Sequence, residues 1–185
     1  MRYIRRTVWF LATRLLAVTI IVSILVCGFY MAMNTANIYI IVSDGLEERV
    51  NVILTAKGAE KLTDYFHADF LNNDVALQSA FDGSSAFGAY SITDYDYVLT
   101  ISSIWAWPWD TNATCTVTER VRNIKGSVLS SRKGAVSDEL PKWQGGKYNL
   151  TLARSNGRWK ITGIKQTGII IEEDPTPSPA PEETQ

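Results

Sequence analysis

The sequence is poor in the residues that bind metals or transfer protons near neutral pH. It has 185 residues but only one histidine, His67, and two cysteines, Cys27 and Cys115. Because histidine and cysteine are the usual zinc ligands, this composition predicts no metal site, no cofactor and no catalytic centre built on them. Cys27 lies in an apolar run and Cys115 in a predicted strand, so the sequence also predicts no disulfide and a buried, unpaired Cys115.

Acidic residues are missing before Asp44, and charge of either sign is missing from positions 15–43. Residues 15–33 are almost purely apolar, and about 20 such residues in a helix cross a bilayer core of roughly 30 Å. Four arginines precede this run, at positions 2, 5, 6 and 14. Because basic residues beside a span stay in the cytoplasm, the sequence predicts a single-pass protein of the cell membrane with a cytoplasmic N-terminus and an extracytoplasmic C-terminal domain.

Two alternatives for the apolar run stay open. A cleaved signal peptide fits the basic start, but the run is long for the apolar region of such a peptide and no A-x-A pattern follows it. A lipoprotein site at Cys27 requires a small residue where Val26 stands. The sequence therefore favours an uncleaved anchor.

Composition divides the chain into four segments. We predict a basic cytoplasmic tail (1–14), a transmembrane helix with a juxtamembrane segment (15–37), an extracytoplasmic domain (38–171) and a disordered acidic tail (172–185). The last segment holds four of the six prolines and no large apolar residue, so it is unable to build a core. Residues 38–171 carry 14 basic and 14 acidic side chains, and this neutrality argues against a nucleic-acid partner.

Helical periodicity dominates the first part of the predicted domain. Leu46, Val50 and Leu54 recur at helical spacing and predict a helix that continues from the anchor after a polar break at 34–37. A second amphipathic helix is predicted over 59–71. A third, short helix is predicted over 75–81, with Asp74 as its N-cap.

Alternation of apolar and polar residues dominates the second part. In the segment 113–124, Cys115, Val117 and Val121 share one face, and the opposite face is polar. The motif Ser155-Asn156-Gly157 predicts a tight hairpin turn. The predicted strands are 90–105, 113–124, a strand beginning in 126–131, 148–152 and 159–164.

Helices followed by antiparallel strands predict an α+β fold. The helix pair at 46–71, the strands at 92–105 and 114–121, and the closing hairpin at 148–164 resemble the NTF2-like (cystatin-like) family. In that hairpin Gly157, Trp159 and Ile161 follow the pattern G-x-W-x-I. The resemblance covers residues 38–170 and implies a cone of helices packed on a curved antiparallel sheet.

With its anchor, the chain is similar to the VirB8-like and TcpC-like subunits of bacterial conjugative secretion machines. Similar anchored cones occur in sporulation channel assemblies. The resemblance implies a scaffold that oligomerises through its cone and its anchor. The predicted cytoplasmic segment of 14 residues is shorter than in many such subunits, which puts a cytoplasmic docking role in doubt.

Three tryptophans within five residues, Trp105, Trp107 and Trp109, form the candidate interaction patch. Under one interpretation, Trp105 or Trp107 closes the open end of the cone. Under the other, the three indoles form an exposed patch for a protein partner or for the outer membrane leaflet, because tryptophan is enriched in binding hot spots and at membrane interfaces.

Asp94, Asp96 and His67 are the candidate residues of a pocket. Asp94 and Asp96 share one strand face, and enzymes of the NTF2-like family place acid–base groups inside the cone. The simpler interpretation is that both aspartates are solvated, because they alternate with tyrosines that are predicted to face the core. His67 is equally well explained as a surface histidine.

These observations predict a protein that is not an enzyme. We expect a scaffold or assembly subunit of a bacterial envelope complex of the conjugation or secretion type, whose partners are the membrane, envelope proteins and other copies of the chain. The alternative is a tethered cone that binds a small ligand or performs acid–base chemistry. A membrane sensor is a third hypothesis, for which the short cytoplasmic segment leaves little room for an output.

Overall fold

The structure, a computed structural model, describes residues 2–170, apart from the side chains of residues 2–5 and 7. The predicted tail at 172–185 lies outside the described residues. The fold is α+β, as predicted. Its elements are α1 (Arg2–Thr55), α2 (Leu62–Tyr65), α3 (Ala68–Asn73), α4 (Val75–Asp82), β1 (Tyr90–Trp105), β2 (Asn112–Val128), β3 (Gly145–Ser155) and β4 (Arg158–Ile170). The four strands form one antiparallel sheet in the order β1-β2-β3-β4.

Helix α1 is unbroken over 54 residues, a length of about 80 Å. The sequence predicts that the helix continues from the anchor past the polar stretch 34–37, and the structure confirms this continuation. Thr35 Oγ1 donates to the carbonyl of Met31 at 3.0 Å, and the Asn34 side chain turns inward and is 4% exposed. The polar side chains are therefore satisfied without ending the helix.

The two halves of α1 have different surroundings. In the apolar half (residues 8–33) the side chains lie outside the folded part, and this helix is long and apolar enough to span a membrane. In the packed half (residues 34–55) one stripe at four-residue steps is between 0 and 2% exposed: Ile38, Val42, Leu46, Val50 and Leu54. This stripe packs on the inner face of the sheet, so the core of the folded part is built on the same helix.

The single helix predicted over 59–71 is wrong. A 3₁₀ turn and α2 are followed by extended backbone at Phe66, and α3 begins only at Ala68. Phe66 is 1% exposed and forms a parallel bridge with Ile161, and the amide of His67 donates to the Ile161 carbonyl at 2.9 Å. Pairing with the edge of β4 satisfies backbone groups that a helix would otherwise satisfy internally.

The strand predictions are confirmed except at one place. The predicted strand in 126–131 is wrong, because Gly126 pairs with Ile92 and Val128 with Tyr90, as the end of β2. The predicted turn between β3 and β4 is confirmed: Asn156 and Gly157 have φ angles of 51° and 79°. Two successive positive φ angles match the twist that a two-residue hairpin requires.

Candidate functional site

Glu119 lies on the buried face of β2. Ala113, Cys115, Val117 and Val121 alternate along this face and are 0 to 6% exposed, and Glu119 occupies the same row at 1%. A charge in such surroundings is costly unless it is paired or neutralised. The strand therefore places a carboxyl group inside the apolar core.

Arg49 of α1 and Asp74 form the ion pair next to this carboxyl group. Arg49 Nε lies 2.7 Å from Asp74 Oδ2, and its Nη2 lies 3.0 Å from Oδ1, a bidentate arrangement. The two side chains are 15% and 5% exposed. Burial lowers the pKa of Arg49, but the hydrogen bonds and charge of Asp74, with a further contribution from Glu119, outweigh it and raise the pKa overall. The pair ties α1 to the start of α4, where Asp74 Oδ1 also caps the Ala76 amide at 3.1 Å.

Burial raises the pKa of Glu119 to about 7. The charge of Arg49 opposes this rise, as does the nearby Trp143 indole. The Trp143 Nε1 nevertheless lies outside hydrogen-bond geometry, so within residues 2–170 neither it, nor Glu119 Oε1, nor the Tyr97 hydroxyl has a partner. This site is able to take up and release a proton near neutral pH, next to a permanent positive charge.

Glu119 is not among the candidate residues that the sequence predicts, although the sequence contains a signal for it. It has the same parity as Cys115 and Val117, which were correctly assigned to the buried face. An acid in the apolar row of an alternating strand indicates either a buried carboxyl group or a break in the pattern. The partnership of Arg49 with Asp74 had no comparable signal, because it depends on how α1 and α4 pack.

The structure does not bring the predicted pocket residues together. Asp94 and Asp96 are exposed on β1, where Lys125 Nζ donates to Asp94 at 2.7 Å and the Asn123 amide donates to Asp96. The hydrogen bond and the charge of Lys125 lower the pKa of Asp94. His67 lies beside β4, at the other edge of the sheet from β1.

The role of His67 in the structure is local. Its side chain caps α3 by accepting a hydrogen bond from the Asp69 amide at 3.4 Å. A surface depression of about 580 Å³ between the end of α1 and the start of β1 is lined by none of the three pocket residues. It is not lined by Glu119 either.

Trp105, Trp107 and Trp109, the tryptophan cluster, lie at the surface. They are 58%, 38% and 71% exposed. The rings of Trp105 and Trp107 meet edge to face with centroids 5.7 Å apart, and those of Trp107 and Trp109 stack at 5.4 Å. The side chain of this segment that enters the core is Ala106, which is 2% exposed, and not an indole.

The tryptophan cluster lies where the apolar half of α1 leaves the folded part. Asn34, the first buried side chain after the apolar run, directs its Nδ2 to the Trp107 carbonyl at 3.5 Å. Its Oδ1 accepts from Arg154 Nη2 at 3.2 Å, and the Arg154 amide donates to the Thr111 carbonyl at 2.8 Å. The β1–β2 loop and the β3–β4 turn therefore share one end of the sheet with the start of the packed half.

Comparison of the chain with known protein families, with curated proteins and with solved structures finds no match.

Proposed function

We propose that the protein is a single-pass membrane protein whose extracytoplasmic domain is a scaffold or assembly subunit of a bacterial envelope complex. The observation that carries this proposal is the continuity of α1, which runs without a linker from its exposed apolar half into the core. A domain mounted on a rigid helix keeps a constant position relative to the bilayer. Such a mount suits a subunit whose contacts require fixed geometry.

The dimensions of the apolar half support membrane insertion. Residues 15–33 extend about 28 Å as a helix, close to the roughly 30 Å of a bilayer core. Arg14 stands at one end of this stretch, with its guanidinium 5.1 Å from the Phe10 ring centroid, and Asn34 stands at the other. The arginines before the stretch favour a cytoplasmic N-terminus.

An exposed apolar pair on the packed half supports assembly. Tyr39 and Ile40 are each 54% exposed, on the part of α1 whose opposite face packs on the sheet. Apolar side chains left uncovered on a fixed helix are suited to contacts with a second protein or a second copy. The conjugation or secretion setting and the NTF2-like cone rest on the resemblance of the sequence to VirB8-like and TcpC-like subunits.

Membrane insertion and orientation are tested in intact bacterial cells. We expect the protein to stay with membranes after alkaline extraction, and a Lys165→Cys variant to react with a membrane-impermeant maleimide without lysis. Lys165 is exposed on β4, whereas Cys115 is 1% exposed and is not expected to react. Labelling of Lys165→Cys only after lysis would show the opposite orientation, with the C-terminal domain in the cytoplasm.

Assembly is tested with a photo-crosslinking residue at position 40, with the same residue at 165 as the matched control. We expect discrete products from position 40 that contain a second copy of this chain or an identified envelope protein. The control should give none, because Lys165 is polar and lies on β4, away from the apolar pair. Absence of any product from position 40 in inserted, well-expressed protein would count against the assembly function.

A second candidate, a tethered domain that binds a small ligand or performs acid–base chemistry, is favoured by one observation. Glu119 is buried beside Tyr97 and Trp143 with a pKa of about 7. The test is a ligand screen by thermal shift on the wild type and on Glu119→Gln. A compound that stabilises only the wild type would support this candidate. A screen that finds no such compound would count against ligand binding at Glu119 and would leave assembly as the remaining candidate function.

A further inference from the structure

We infer that the tryptophan cluster lies in the interfacial layer of the outer leaflet and binds the lipid surface there, an inference that rests on the proposed insertion of the apolar half. The partner is the zone of lipid headgroups and carbonyl groups, which favours indole rings because they have an apolar body and one N–H donor. A protein partner at the same surface is an outcome of the test below.

The position of the tryptophan cluster along α1 carries the inference. The Trp107 carbonyl accepts from Asn34, and Asn34 follows directly on the apolar run that ends at Met33. A helix rising 1.5 Å per residue that places residues 15–33 in the bilayer core brings Asn34 to the outer boundary of that core. The loop bonded to Asn34 is then at the same depth.

A second aromatic residue at the other end of the helix supports this depth. Trp9 is 73% exposed and precedes the apolar run. From Trp9 to Asn34 the helix rises about 38 Å, which exceeds the roughly 30 Å of the bilayer core and fits within the roughly 40–45 Å that includes both interfacial layers. Among the described side chains, every exposed tryptophan thus lies at one of these two levels.

The loop presents the indoles on a fixed backbone. The Asp110 amide donates to the Trp107 carbonyl at 3.2 Å, which closes a turn around Pro108, and Ala106 anchors the segment in the core. The three indoles contact one another and stay 38 to 71% exposed, so part of each ring is open to lipid. Arg158, exposed at the adjacent β3–β4 turn, adds a positive charge suited to lipid phosphates.

The test measures the depth of three positions in the full-length chain, reconstituted in nanodiscs of phosphatidylcholine and phosphatidylglycerol. In a Cys27→Ala background, the variants Val22→Cys, Trp109→Cys and Ser84→Cys each carry one fluorescent label. Cys115 is left in place, since it is 1% exposed. Ser84 is the control at the far end, beside the depression formed with the end of α1. The quenchers are lipids with a nitroxide at the headgroup or at the middle of the acyl chain.

We expect the label at 109 to be quenched about threefold more strongly by the headgroup nitroxide than by the mid-chain nitroxide, as for an interfacial group. The label at 22 should show the reverse order, and the label at 84 should respond to neither quencher. Quenching at 22 without quenching at 109 would overturn the inference alone and indicate a water-facing patch for a protein. Equal quenching at 84 and 109 would also overturn it, and no quenching at 22 would overturn the proposed insertion itself.

Discussion

The two halves of α1 are both rich in apolar residues, but the apolar residues are arranged differently around the helix. Apolar content alone therefore does not distinguish a helix that faces lipid from a helix that packs on a protein core. In the apolar half, large side chains on all sides of the helix are exposed, among them Ile24 at 65% and Leu25 at 67%. In the packed half, buried residues recur at four-residue steps, and Asp44 and Glu47 lie on exposed positions between them. A uniform apolar surface suits lipid, and a stripe suits a protein core.

Charged residues differ between the halves in the same way. Arg14 is exposed at the edge of the apolar run, whereas the Arg49 side chain is only 15% exposed and is paired with Asp74. An exposed charge needs no partner, but a buried one is tolerated only with a counter-charge in good geometry. The packed half therefore depends on specific buried contacts, which the exposed positions of the chain do not need.

The largest effect is expected from Asp74→Ala, which leaves Arg49 buried without its counter-charge. The free energy of unfolding should fall by about 3–5 kcal/mol, measured by urea denaturation in detergent with tryptophan fluorescence. Asp74→Asn should lose less, because the amide still caps α4 and accepts from Arg49. Asp94→Ala, which breaks the exposed pair with Lys125, should cause no measurable change. Equal losses in Asp74→Ala and Asp94→Ala would show that burial does not set the strength of the pair.

Leu46→Ala should destabilise the fold by about 2–5 kcal/mol, because Leu46 is 1% exposed and its removal leaves a cavity. Leu25→Ala makes the same chemical change in the apolar half and should leave the free energy of unfolding unaltered within about 0.5 kcal/mol. The same denaturation assay compares the two variants. A comparable loss at Leu25 would mean that the apolar half also packs against protein.

Local patterns in the sequence were enough for the elements that depend on near neighbours. The buried stripe of α1, the Asp74 cap and the Asn156-Gly157 turn all follow from residues a few positions apart. The break at Phe66 and the continuation of β2 through Gly126 do not, because each is decided by pairing with a strand distant in the chain. Sequence patterns describe local preference, and tertiary pairing overrides it where a sheet edge competes for the backbone.

The same distinction between local pattern and tertiary packing applies to the candidate functional residues. The tryptophan cluster was identified from composition alone, but its contact with Asn34 is a tertiary fact that no local pattern contains. The pocket of Asp94, Asp96 and His67 failed to assemble because a four-stranded sheet separates its members. The buried carboxyl group is Glu119 instead, and its parity in β2 was the available signal.

Glu119→Gln should remove a pH dependence from the stability of the folded part. Burial raises the Glu119 pKa from 4.5 to about 7, so between these values the folded state holds a proton that the unfolded state has lost. The wild type should therefore lose roughly 3 kcal/mol of stability as pH rises from 4.5 to 7 and change little above 7. The free energies of unfolding at pH 4–8 should diverge over that window for wild type and variant.

The control for this titration is Glu47→Gln, an exposed glutamate on the same helix as Arg49. Its stability curve should follow the wild type at every pH. If Glu119→Gln also followed the wild type, the stabilisation of the carboxylate by Arg49 would balance the effect of burial, and folding would leave the pKa of Glu119 unchanged.

The smallest effect is expected at the boundary between the halves. Asn34→Ala removes the hydrogen bonds to the Trp107 carbonyl and from Arg154, and should cost about 1–2 kcal/mol in the denaturation assay. Asn37→Ala, on an exposed position nearly one turn later, should cost less than about 0.5 kcal/mol. Asn34→Leu distinguishes a need for the hydrogen bonds of Asn34 from a need for a buried side chain, because leucine extends the apolar run but makes none of these bonds. If Asn34→Leu is as destabilised as Asn34→Ala, the amide joins the packed half to the loop of the tryptophan cluster; if it matches the wild type, position 34 needs only an apolar side chain and belongs to the apolar half.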